Sequence, residues 1–207
     1  MSGTVAIHVV DDDEAIRDSL RLLLEASGLA VQTHASPTAF LQAAPGLAGC
    51  VLTDVRMPAM DGLELQRQLN ERGVRLPVIV MTGQGDVPLA VRAMQAGAVD
   101  FLEKPLDGDR LLEAVRRALD ENRRRQEARA TAAEAQSRLA ALTPREREVL
   151  DLLVTGLSNK AVGNELGASP RTIEVHRSRI LEKLQARSLP ELVRLVLAAE
   201  AAEPRPR

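Results

Sequence analysis

Aromatic side chains are almost missing from this 207-residue chain: it has Phe40 and Phe101, no tryptophan and no tyrosine. Its cores must therefore be filled by Leu, Val, Ile, Ala and Met. Recognition modes that stack bases on aromatic platforms, as in single-strand or RNA binding, are argued against. A single cysteine, Cys50, rules out an internal disulfide. It opens the apolar run Cys50-Val51-Leu52, which predicts a buried, inert thiol. No apolar stretch is long enough to span a bilayer, and Met1-Ser2-Gly3-Thr4 leads straight into a strand-like segment without a leader pattern. A soluble, cytoplasmic protein with no membrane partner is expected. The three histidines, His8, His34 and His176, lack metal-ligand spacing and are expected to matter structurally.

Net charge is also nearly absent, at −2, but it is unevenly divided. Residues 1–120 carry 17 acidic against 11 basic side chains, a net of −6, while residues 121–207 carry 12 against 16, a net of +4. An acidic front and a basic back suggest two tasks, the second on a polyanion. The length suits one medium domain and one small one.

What the front half does have is a repeated alternation. Short β-branched, apolar runs recur at 5–10, 30–33, 50–53, 77–81 and 98–102. Their continuous apolarity suits strands covered on both faces. Helix-like segments lie between them, at about 14–27, 37–43, 62–72, 87–96 and from 108 onward. Strand–helix alternation predicts a doubly wound parallel sheet, with its site beyond the carboxyl ends of the strands. Asp11, Asp12 and Asp13 follow the first strand and Asp54 the third. Thr82-Gly83 end the fourth, and Lys104-Pro105 follow the fifth.

Clustered carboxylates repel, and one must take a proton unless a cation joins them. Mg²⁺ resolves this, since it prefers a few carboxylates, waters and phosphate oxygens. With Lys104 as a second cation and Thr82 as a hydroxyl donor, the set suits phosphoryl transfer to a carboxylate. Each residue alone has an ordinary explanation. Asp13 is a helix-start residue, Thr82 a turn residue, Lys104 a surface lysine. Their meeting at one sheet edge is what points to chemistry.

The segments Val10-Asp11-Asp12, Asp54-Val55-Arg56-Met57-Pro58-Ala59-Met60-Asp61-Gly62, Met81-Thr82-Gly83 and Phe101-Leu102-Glu103-Lys104-Pro105 resemble the signatures of receiver domains. The resemblance covers about residues 4–120 and implies a flavodoxin-like fold with five parallel strands. It implies that Asp54 is the phosphoacceptor for a sensor histidine kinase. Asp11, Asp12, Asp54 and the backbone carbonyl of Arg56 would hold Mg²⁺, directly or through water. Lys104 would pair with the phosphoryl group, Thr82 would hydrogen-bond to it and move, and Phe101 would follow. A cis Lys104-Pro105 peptide is implied too. The stretch Met81-Thr82-Gly83-Gln84-Gly85-Asp86-Val87-Pro88 resembles the FixJ subgroup, and its two glycines suit a loop that changes conformation.

A helical connector is expected over 121–138, within a proline-free run rich in Ala, Arg, Glu and Leu. The seam Val115, Leu119, Asn122, Gln126, Ala130, Ala133 is apolar only at its ends, so a strong coiled coil is not expected. Arg123-Arg124-Arg125 reads as a solvated face.

Four short helices follow. Thr143-Pro144-Arg145-Glu146 is a capping box with proline at the first helical position. Ser158 caps a second helix that stops near Gly167, and Ser169-Pro170 opens a third. Ser188-Leu189-Pro190-Glu191 is a further capping box. Together they suit an all-α helix-turn-helix unit. On the third helix Ile173, Ile180 and Leu184 share an inner face, with Arg171, Val175, Ser178 and Glu182 opposite. An outward Val175 amid polar groups makes sense against a thymine methyl. Arg171, Thr172, Arg177, Arg179, Asn159 and Lys160 can reach phosphates. Capping and periodicity alone also suit a small protein–protein module.

The segments Leu142-Thr143-Pro144-Arg145-Glu146-Arg147-Glu148-Val149-Leu150, Ser158-Asn159-Lys160 and Thr172-Ile173-Glu174-Val175-His176-Arg177 resemble the LuxR-type DNA-binding domain over about residues 139–200. The whole chain is then similar to two-component response regulators of the FixJ/NarL type. That resemblance implies that the third helix reads DNA, with Glu174, Val175 and Ser178 toward the bases. The implied partners are a sensor kinase, double-stranded promoter DNA, RNA polymerase and, on phosphorylation, a second copy of the chain. Two residues depart from the pattern. Glu174 stands where many members carry lysine; a glutamate there can accept from cytosine N4 but repels phosphate. Gly163 stands where alanine is usual, at a cost of about 1 kcal/mol in helix propensity. Dimerisation would restore affinity through effective concentration.

Two other functions compete. A haloacid-dehalogenase-type phosphatase also uses a strand-end aspartate, but needs a second one where Arg56 stands, and has its acidic pair after the lysine. A constitutive DNA binder with an inert receiver would not need the complete acceptor set.

Overall fold

The apolar runs become strands because both of their faces are covered. The structure, a computed structural model, describes residues 5–44, 46–83 and 87–200. Strands β1 (Val5–Val10), β2 (Val31–His34), β3 (Ala48–Asp54), β4 (Val78–Thr82) and β5 (Asp100–Glu103) form a parallel sheet in the order β2-β1-β3-β4-β5. The two edge strands have four residues each. Helices α1 (Glu14–Ala26), α2 (Pro37–Ala43), α3 (Gly62–Glu71), α4 (Val87–Gln95) and α5 (Gly108–Leu139) complete the alternation.

Along each strand successive side chains enter different cores, the period of two inherent to a strand. Ile7, Val9, Cys50, Leu52, Ile79 and Met81 pack with Leu20 and Leu24 of α1 and Leu111 and Val115 of α5. Val10, Val51, Val78 and Val80 pack with Phe40 of α2, Leu65 and Leu69 of α3 and Ala93 of α4. Each fully buried aliphatic side chain contributes about 1.5–3 kcal/mol. Burial pushes the Cys50 thiol up to about 12, so it is the inert core thiol expected. A cluster of three rings sits where β1, β2 and α2 meet. His34 meets Phe40 edge-on at 5.0 Å, and His8 lies 5.8 Å from His34 and 5.6 Å from Phe40. The histidines are structural here, as the sequence suggested.

The chain divides into two compact units, Met1–Arg124 and Arg125–Arg207, and α5 contributes to both. Residues 121–138 all lie in this helix. The expected seam along it is not one face. Val115 and Asn122 are buried, whereas Gln126, Ala130 and Ala133 are exposed. Asn122 belongs to the first unit, where its Nδ2 donates to the Gly49 carbonyl at 3.1 Å. A polar residue read as a break in a coiled coil is instead a pin to the sheet.

In the second unit, α6 (Pro144–Val154), α7 (Asn159–Leu166), α8 (Pro170–Lys183) and α9 (Leu189–Glu200) surround Val149, Leu150, Leu153, Val162, Ile173, Ile180, Leu184 and Leu192. The Thr143–Glu146 capping box forms, and Ser158 and Ser169 cap α7 and α8. At α9 the box is not made as expected. Glu191 accepts from the backbone N–H of Arg187, one residue earlier than Ser188. Gly163 also needs a different account from propensity alone. A Cβ there would lie 2.6 Å from the Ala168 carbonyl oxygen, so a larger residue would force the tight α7–α8 turn to shift.

Candidate functional site

Strand register explains why distant acids meet. Val10 pairs with Thr53, so Asp11 and Asp54 leave β1 and β3 side by side. Asp54 is level with Met81, and Thr82 with Glu103, which brings Thr82 and Lys104 to the same edge. The Lys104 backbone N–H donates to the Thr82 carbonyl at 2.7 Å, and the Lys104-Pro105 peptide is cis, as the resemblance implied.

Lys104 Nζ lies 2.6 Å from Asp54 Oδ1 and 3.0 Å from Asp11 Oδ2. The other Asp54 oxygen accepts from the Arg56 backbone N–H at 2.7 Å. Asp11 accepts from the Asp13 N–H at 2.9 Å. Both carboxylates are buried, Asp12 beside them is exposed, and Asp13 caps α1 instead of joining the site. Burial raises the Asp11 pKa, helped by the Asp54 charge and opposed by the Asp13 N–H and Lys104. For Lys104 burial works downward, but hydrogen bonds to Asp54 and Asp11, with their charges, outweigh it and hold the ammonium above the usual lysine range. Thr82 is buried, and its hydroxyl has no hydrogen-bond partner among the described residues. Phe101 is half-buried on β5 and packs at the margin of the core that holds Val80.

The donor set suits a small hard cation. Two buried carboxylates share one ammonium, and a third acid stands beside them, so negative charge is in excess. Mg²⁺ takes one or two carboxylates and retains waters. Among the described residues no three His, Cys, Asp or Glu side chains converge on one point, so water and phosphoryl oxygens would complete its shell.

Two supporting residues were not singled out from the sequence. Arg17 Nη1 donates to the Asp11 and Asp12 carbonyls at 2.8 and 2.9 Å, fixing the acidic loop from one turn inside α1. Gly62 comes so close to Asp54 that a Cβ would sit 2.2 Å from the Asp54 carbonyl oxygen. The glycine was visible in its motif, but the reason for it is tertiary. Of the FixJ-like stretch, Gln84-Gly85-Asp86 lies outside the described residues.

In the second unit α8 buries Ile173 and Ile180 fully and turns Arg171, Thr172, Glu174, Val175, Ser178 and Arg179 outward. Arg177 and Asn159 are half-buried, and Lys160 is exposed. The Thr172 hydroxyl shares a 2.8 Å hydrogen bond with Ser169, inside the cap, and Ser178 Oγ donates to the Glu174 carbonyl. Arg171, Arg177 and Arg179 have no ion-pair partner among the described residues, so their charge stays available to phosphates. Lys183 is instead bound to Glu146 at 2.7 Å, which ties α8 to α6. Hydrogen bonds from Lys183 and Thr143 hold the Glu146 carboxyl down to about 2. That tie was legible only as a capping box.

Two family profiles match the chain: "Response regulator receiver domain" over residues 7–116, and "Bacterial regulatory proteins, luxR family" over residues 140–196. Transcriptional regulatory protein FixJ of Azorhizobium caulinodans is 53% identical over 206 residues, covering 98% of this chain and 96% of the relative. FixJ of Rhizobium meliloti is 47% identical over 193 residues, covering 93% and 95%. A solved structure of the response regulator StyR is 42% identical, with a TM-score of 0.82 over 94% of this chain and 99% of that one.

Proposed function

The chain belongs to the response regulators that join a receiver domain to a luxR-type regulatory domain, and on that premise we propose that phosphorylation of Asp54 controls its binding to promoter DNA. It is a FixJ-like transcriptional regulator.

The observation that carries it is Lys104 joined to both Asp54 and Asp11 beside the unpartnered Thr82 hydroxyl. An Asp54 carboxylate oxygen attacks the phosphorus of a phosphohistidine. The P–N bond breaks, and its electron pair returns to the imidazole of the kinase. Lys104 neutralises one phosphoryl oxygen, and the Thr82 hydroxyl donates to another, gaining the acceptor it lacks. Phe101, on the neighbouring strand, follows Thr82. Asp11, Asp12, Asp54 and the Arg56 carbonyl would hold Mg²⁺, directly or through water, and the ion would supply charge neutralisation at the phosphoryl oxygens. The chain itself is a phosphoacceptor, with at most self-phosphorylation and self-dephosphorylation. An apolar groove of Ile16, Leu20, Leu23 and Leu106 opens beside Lys104 and suits a kinase helix.

The output runs through α8, with Asn159, Lys160, Arg171, Thr172, Arg177 and Arg179 toward phosphates and Glu174, Val175 and Ser178 toward bases. The receiver spans 4–120, the linker 121–138 and the DNA-binding domain 139–200. Homodimerisation on phosphorylation is part of the proposal, and RNA polymerase is the downstream partner. No helix among the described residues is long and apolar enough to cross a membrane. A cytoplasmic site of action is part of the proposal.

The test is intact mass after incubation with a small phosphodonor, with and without Mg²⁺, alongside Asp54→Asn. One Mg²⁺-dependent phosphoryl addition, absent from the variant, is expected. No addition under any condition overturns the phospho-switch.

A further inference from the structure

Asp11 and Asp12 sit in the turn between β1, which ends at Val10, and α1, which begins at Glu14. Every polar group of Asp11 is committed. Its N–H donates to the His34 carbonyl at 3.3 Å. Its carboxylate accepts from the Asp13 N–H at 2.9 Å and from Lys104 Nζ at 3.0 Å. Its carbonyl accepts from Arg17 Nη1 at 2.8 Å. Asp12 is held far less. It is exposed, and among the described residues it makes one hydrogen bond, in which its carbonyl accepts from the same Arg17 nitrogen at 2.9 Å. Arg17 is half-buried and makes no ion pair among the described residues, so its guanidinium is committed to these two carbonyls. A peptide unit turns as one plane, so a donor shared by two consecutive carbonyls restrains the backbone from which both side chains start.

We infer that Arg17 is a positioning residue for the divalent ion: through the Asp11 and Asp12 carbonyls it holds the two carboxylates ready for Mg²⁺, an inference that rests on the Mg²⁺ reading proposed above. Charge alone predicts the opposite effect. A guanidinium repels a second cation, so by Coulomb's law its removal would tighten Mg²⁺. The charges that act on the Asp11 carboxyl, however, are those of Lys104 and Asp54, not that of Arg17. Arg17 works on the backbone, and there its loss frees Asp12 from the one tie that places it. Groups that orient metal ligands without touching the metal govern affinity by about 10–100-fold. Position therefore outweighs repulsion, and Mg²⁺ binds more weakly without Arg17.

The experiment is calorimetric titration of the full-length, unphosphorylated chain with Mg²⁺, for the native protein, Arg17→Met and the milder Arg17→Gln. Thermal melting without Mg²⁺ shows which variants fold, and glutamine serves where methionine does not fold. Mg²⁺ affinity should fall about tenfold in the folded variant. The Mg²⁺ concentration for half-maximal phosphorylation by a small phosphodonor should rise in step, while the rate at saturating Mg²⁺ stays that of the native chain. In an Asp12→Asn background the same Arg17 substitution should cost clearly less affinity, because the carboxylate that it places is gone. A folded Arg17 variant that binds Mg²⁺ as tightly as the native chain, or more tightly, overturns the inference. So does a full loss in both backgrounds, since Arg17 would then not act through Asp12. A native chain that takes up no Mg²⁺ overturns the Mg²⁺ reading itself, and this inference with it.

Discussion

Lys104 Nζ stands 2.6 Å from Asp54 Oδ1, so the lysine already neutralises the carboxylate that a phosphoryl group would join. Its other contact, at 3.0 Å, is Asp11 Oδ2. Replacing it with methionine leaves two buried acids facing each other, at an expected cost of about 1–3 kcal/mol. Mg²⁺ should then recover more stability in Lys104→Met than in the native chain, because the ion takes over the missing charge. Urea unfolding with and without Mg²⁺ reads this. An equal gain in both proteins would count against a cation site at these carboxylates.

The His8–His34–Phe40 cluster predicts a weakness in acid. Burial, with the charge of His8 second, pulls His34 from its ordinary 6.5 down to about 4. The unfolded chain therefore binds a proton at His34 as the pH falls below 6.5, and the folded chain does so only near 4. Stability should drop across that window, by roughly 1–2 kcal/mol at pH 5. Asp11 works in the opposite direction: its raised pKa favours the folded state as it takes a proton. The decisive quantity is thus a difference. Between pH 7 and pH 5 the native chain should lose more stability than His34→Leu, and parallel losses would refute the assignment.

Gly163→Ala tests packing against propensity. Alanine favours a helix by about 1 kcal/mol over glycine. Here its Cβ would press on the Ala168 carbonyl at 2.6 Å, so the turn into α8 must shift. A net loss of about 1–3 kcal/mol is expected, together with weaker DNA binding. Thermal melting of the two proteins decides, and a stabilised variant would show that the turn gives way easily.

Asn122→Leu removes the pin between α5 and the sheet. The Gly49 carbonyl loses its donor, at an expected cost of about 1–3 kcal/mol. Amide exchange in α5 around residue 122 should quicken, while the helix near Leu111 and Val115 stays protected by the core. Unchanged exchange around residue 122 would mean that the helix holds its place without the asparagine.

Most of the fold was legible because its signals are local. The β-branched runs, the serine and threonine caps and the strand-end acids are local features of the chain, and Asp11, Asp54 and Lys104 do meet as their positions implied, with Thr82 at the same sheet edge. What escaped was tertiary. Arg17 looks like any surface arginine until its side chain reaches back to the Asp11 and Asp12 carbonyls. Gly163 looks like a flaw in a helix until Ala168 arrives beside it. Asn122 looks like a gap in a seam until the Gly49 carbonyl needs a donor. The Glu191 cap missed by one residue, since either of two neighbouring N–H groups can serve a flexible carboxylate.

The strand order leaves only four-residue strands at the rims of the sheet, β2 ending in His34 and β5 running from Asp100 to Glu103. Short rims with polar or charged ends give a passing chain little backbone to template on, which guards a β-rich unit against aggregation. Extension of the sheet by another copy is thereby disfavoured, which leaves self-association to side chains on the helices, where its extent can be limited.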